Sequence, residues 1–178
     1  AAIRANQSPE NLSVALKDKE PVVVATALVQ LLGEGRSLGV DARAQIDHIL
    51  HGGDLAARRG LARAIGRHGE LQPETEALLI RLSSDTPSVM VEVAKAMANF
   101  PRPTFMHPLI GMLTYREPRS EAQAALLAMG SGLVPELAEA LADPNVDFGI
   151  RVHLPRTLSL FRDDRVPALL LDRLLDEE

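Results

Sequence analysis

Arg59, Arg63 and Arg67 stand four residues apart, so on a helix they form a single ridge. Guanidinium groups in such a row suit bidentate capture of carboxylates or phosphates. A plainer role competes with this one, because any amphipathic helix must show a polar face to water. Residues 54–69 carry four arginines against one aspartate, so the excess charge is local and positive.

Other residue groupings offer less chemistry. His48 and His51 have i, i+3 spacing and could reach one metal from a helix, with Asp47 or Asp54 nearby. A third ligand at defined spacing is missing, so they read as solvated histidines beside a turn, and no metal site is expected. There is no Cys and no G-x-S-x-G sequence to supply a nucleophile. The glycine pairs Gly33/Gly35, Gly52/Gly53 and Gly130/Gly132 are not followed by G-K-[ST], so they read as caps and turns rather than phosphate loops. Carboxylates are scattered. The expectation is a non-enzymatic protein with no catalytic residue and no cofactor.

The ridge needs a helix to carry it. Asp54–Gly69 provides one, with Leu55, Leu61, Ala62 and Ile65 mostly on one face and Gly66 and Gly69 as closures. The same pattern returns along the chain. Ile65 matches Leu32, Met97, Met129 and Phe161, at steps of 33, 32, 32 and 32 residues. Four positions earlier stand Leu28, Leu61, Val93, Ala125 and Thr157; three positions earlier stand Val29, Ala62, Ala94, Leu126 and Leu158. This is an internal repeat of helix pairs. Period outranks propensity at Val22-Val23-Val24, which is expected to be helical despite its β-branched residues.

Turn and cap signals separate the helices. Ser8, Asp41 and Asp54 are placed as N-caps, and Pro21 and Pro73 at helix starts. The fifth unit departs from the spacing, because Leu141 to Phe161 is 20 residues and Pro155 falls inside the expected second helix. A kink before Pro155, or an extra turn over Asn145–Gly149, is expected. The segment Arg165–Glu178 reads as the first helix of a sixth, unfinished unit. Its Val166, Leu170 and Leu174 suit packing against unit five. Leu171 and Leu175 would face a missing neighbour, which predicts self-association through this helix.

Composition agrees with a helical array. Apolar residues make up 46% and aromatics 3%, so Ala and Leu carry the core. Lys and Arg total 19 against 24 Asp and Glu, giving a net charge of −5, which disfavours general nucleic-acid binding. No apolar run approaches the ~18 residues a spanning helix needs, so no membrane insertion by this segment is expected. The chain opens at Ala1 without Met, which suggests a piece of a longer protein.

Helix pairs with Asp- and Pro-rich turns at this period resemble HEAT repeats. The residues that carry the likeness are Lys17-Asp18-Lys19-Glu20-Pro21, Ser84-Asp85-Thr86-Pro87 and Asp143-Pro144-Asn145, with Gly33, Gly66 and Gly130 as closures. The resemblance implies one all-α domain over residues 1–178, a right-handed α-α superhelix of about five and a half pairs. In such arrays the second helices line the concave side. Arg59, Arg63 and Arg67 would then face a groove with Lys95, which occupies the repeat position of Arg63, and with Arg156, one position from the equivalent of Arg59. The expected function is binding or scaffolding of another protein, or of another domain of the parent chain, in the cytoplasm. A second, local likeness covers Ile150–Leu158, an R-x-H-x-P-R-x-L run similar to HEAT arrays joined to bacterial transporter-like proteins related to ADP/ATP translocases. It implies the alternative of a soluble regulatory domain of a membrane protein.

Overall fold

The computed structural model describes residues 9–34, 41–52 and 54–175. Among them there are twelve α-helical segments and no strand. They are α1 (Pro9–Ala15), α2 (Pro21–Glu34), α3 (Ala42–His51), α4 (Leu55–Arg67), α5 (Pro73–Leu82) and α6 (Pro87–Asn99). There follow α7 (Met106–Met112), α8 (Arg119–Ala128), α9 (Val134–Ala142), α10 (Phe148–Arg151), α11 (Leu154–Leu158) and α12 (Arg165–Leu175). The fold is all-α, and helices pack on their neighbours in sequence, as a helical repeat requires. The expected cap Ser8, the closure Gly35 and the side chain of Leu175 lie outside the described residues.

The helices divide into two compact units, Ala1–Ala96 and Met97–Glu178. In the first unit α4 is the central element. It packs along α2, and α3 and α5 lean on it. Two glycines bring the helices close. A Cβ at Gly60 would stand 3.3 Å from Val22 Cα of α2, and one at Gly66 would stand 2.9 Å from Ala96 Cα of α6. Gly66 therefore lies inside α4 as a packing position, and His68 takes the C-cap expected of the glycine. Asp41 and Asp54 cap α3 and α4 as expected, each side chain accepting two backbone N–H bonds.

In the second unit α7 packs on α8, and α9 packs on α11 and α12. Gly130 ends α8 with φ 91°, a left-handed value that disfavours any residue with a Cβ. The irregular fifth unit shows both expected features. Asp143 and Asp147 organise a turn, and the second helix is split into α10 and α11, with Pro155 in the first turn of α11.

The repeat register is visible in burial. Leu28, Leu61, Val93, Ala125 and Thr157 are all buried, as are Val29, Ala62, Ala94, Leu126 and Leu158. The anchor position is less uniform. Ile65, Met97 and Phe161 are buried, whereas Leu32 and Met129 are only half-buried, and Leu31 takes the core position in α2. Thr157 is the one polar residue in the register, and its hydroxyl is satisfied by donating to His153 O and accepting from Gln123 Nε2.

Candidate partner-binding site

The arginine ridge forms on α4 as its spacing predicts, but its members differ in state. Arg67 is exposed, as is Lys95 on α6. Arg59 and Arg63 are half-buried, with side chains 42% and 34% exposed. Arg59 and Arg63 are thus less open than Arg67, and the reason is Glu92. This residue of α6 is 7% exposed, and a carboxylate so buried must find cations or neutralise. Arg63 donates to it twice, Nη2 to Oε1 at 2.7 Å and Nε to Oε2 at 3.2 Å. Arg59 Nη2 stands 3.7 Å from the same Oε1.

The electrostatics follow from this fork. The Arg63 hydrogen bonds hold the Glu92 carboxyl below the usual carboxylate range, against the opposing effect of burial, with the Arg63, Lys95 and Arg59 charges adding to the lowering. Arg63 is pushed up in turn, chiefly by the same hydrogen bonds.

Glu92 is the site residue that sequence reasoning missed. It occupies the repeat position of Gly60, 32 residues earlier, and stands immediately before the buried pair Val93-Ala94. A carboxylate next to a core register, one repeat beyond an arginine ridge, is the signal that could have found it.

Further ion pairs join α3 and α4 to the next helix pair. Arg58 Nε lies 2.9 Å from Asp85 Oδ2, with both side chains mostly buried. On the first helices, Arg81 reaches Asp47 at 3.3 Å and Arg43 reaches Glu74 at 3.4 Å. His51 is held at both ring nitrogens: Nδ1 donates to Asp47 O at 2.7 Å and Nε2 accepts from Arg81 Nη2 at 2.8 Å. Neither nitrogen is free for the metal role its spacing to His48 suggested. Among the described residues no group of three or more potential ligands converges.

Arg156 is exposed on α11 of the second unit. No single described helix is long and apolar enough to cross a membrane; α8 and the segment Ser131–Ala142 reach that length only together, across a bend of 103°. No known protein family, curated protein or solved structure matches the chain.

Proposed function

We propose that this chain is a non-catalytic HEAT-type module that binds another protein, or another domain of its parent chain, on the surface formed by α4 and α6. The observation that carries this reading is the residual charge of that surface. Glu92 occupies Arg63, and Arg59, Arg67 and Lys95 remain at least partly open to solvent. The repeat period and the Asp- and Pro-rich turns support the HEAT assignment. Elsewhere in the first unit, the pairs Arg43–Glu74, Arg58–Asp85 and Arg81–Asp47 join neighbouring helix pairs, which suits a scaffold more than a reaction centre.

Site-specific photo-crosslinking tests this. A photoreactive residue replaces Arg67 or Lys95, with Asp47 on α3 as control, and adducts formed in the native extract are identified and reconstituted from pure components. A partner captured at positions 67 and 95 but not at 47, with capture lost when Arg59→Gln is added, supports the reading. Equal capture at all positions, or none, overturns it.

A further inference from the structure

The cations around Glu92 outnumber it, and they are not equivalent. Arg63 commits Nε and Nη2 to the carboxylate. Arg59 does not achieve this: its Nη2 at 3.7 Å is beyond hydrogen-bond length, and its Nε is buried with no acceptor. The buried Nε is out of reach of a ligand, but the side chain is 42% exposed and its terminal Nη groups form no hydrogen bond among the described residues, so it is the end of the Arg59 guanidinium that stands open to an acceptor from outside. Lys95 lies one helical turn beyond Glu92 on α6 and is exposed. Arg67 lies two turns beyond Arg59, about 12 Å along α4 at the usual rise per residue.

We propose that Arg59 is the carboxylate-receiving residue of this surface, and that its ligand is an acidic helical protein segment whose further carboxylates meet Lys95 and Arg67. Arg63 is then a positioning residue, withdrawn from the ligand by Glu92 and fixing the slope of the ridge. Carboxylates two turns apart on a docked helix match the Arg59–Arg67 separation. A nucleic acid fits less well, because the chain carries a net charge of −5 and has no Trp and a single Tyr to stack on bases. The inference rests on the reading of α4 and α6 as a protein-binding surface, and names the chemistry of the ligand.

The test is a titration of the ¹⁵N-labelled protein with a capped helical 18-mer bearing Glu at i, i+4 positions in an Ala/Leu background. The same peptide with Gln for Glu, and a single-stranded DNA of equal charge, are titrated in parallel. The Glu peptide is expected to shift amides of α4 and α6, with an affinity that falls as salt rises. Arg59→Gln is expected to weaken it roughly tenfold, the value of one lost charge-assisted hydrogen-bonded pair. Arg59→Lys, which keeps charge but not the fork, should recover only part of the loss. If Arg59→Gln perturbs the fold, Arg59→Lys and Lys95→Gln carry the comparison. Equal binding of the Gln peptide at α4 and α6 overturns the acidic ligand and leaves the protein-binding surface standing. Equal or tighter binding of the DNA overturns the protein ligand. Absence of shifts on α4 and α6 with every probe overturns both inference and reading.

Discussion

Arg63 and Glu92 meet as a fork, with Nη2 2.7 Å from Oε1 and Nε 3.2 Å from Oε2, and they join the second helices of adjacent pairs. Residues 29 positions apart are brought together because the repeat places α6 beside α4. The pair has a structural consequence apart from any partner. Glu92→Ala is expected to destabilise the fold by about 1–3 kcal/mol, since Arg63 loses the carboxylate that accepts both hydrogen bonds of its fork while remaining partly solvated. Arg63→Ala should cost at least as much, because it leaves a buried carboxylate without its main donor. The double variant should cost less than the sum, and urea melts of the four proteins give the coupling.

The same pair sets an acid limit. Glu92 has its carboxyl pKa lowered on folding, so its contribution is fully present above the unfolded value of ~4.3 and is lost as pH falls through the folded value below it. The wild-type protein should therefore lose stability more steeply than Glu92→Gln below about pH 4. Parallel slopes for the two proteins in that range would show that the carboxylate is not held in this way.

Two helical glycines should respond to alanine with opposite signs. At Gly66 a Cβ would lie 2.9 Å from both Ala96 Cα and Ala96 Cβ, so Gly66→Ala must push α6 away. A loss of about 1–3 kcal/mol is expected, despite the better helix propensity of alanine. At Gly111 in α7 a Cβ would meet nothing within 4 Å, so Gly111→Ala should stabilise by up to ~1 kcal/mol. Thermal melts of the two variants decide the matter.

The period was legible because it is carried by adjacent pairs such as Leu61-Ala62 and Leu126 with Ala125, which are buried in every unit. The anchor three residues after the second member of each pair was less so. At the end of α2 the core is reached by Leu31 and not Leu32, a one-residue rotation that spacing alone does not fix. Gly66 was misread as a closure because a glycine near a helix end signals both a cap and a close approach, and only Ala96 opposite it distinguishes them. Four of the five residues of the candidate site on α4 and α6 were visible in the sequence. Arg59, Arg63, Arg67 and Lys95 declare themselves by charge, but which of them is already paired depends on Glu92, whose burial is a tertiary fact.

Burial at the anchor position predicts a graded response. Ile65→Ala removes a side chain that is 1% exposed and should cost about 2–5 kcal/mol. Met129→Ala acts on a half-buried residue at the equivalent place and should cost clearly less. Equal losses in urea melts would mean that the repeat position, and not the local packing, sets the energy.

His153 supplies a second pH limit, in a range where carboxylates do not titrate. It precedes α11 and is half-buried, and its pKa is lowered, first by burial and then by the Arg119 charge. The neutral ring is therefore favoured by folding. Its contribution is fully present above the unfolded value of ~6.5 and is lost as pH falls through the folded value beneath it. The ring proton signals of His153 should titrate with a midpoint below ~6.5. Arg119→Gln should raise that midpoint only in part, because burial is the larger cause and persists. The Arg119 guanidinium also donates to Leu113 O at 2.7 Å, so the measurement must be made where the variant remains folded. A midpoint at or above the ordinary histidine value in the wild-type protein would mean that the ring is solvated and that the turn before α11 is open to water.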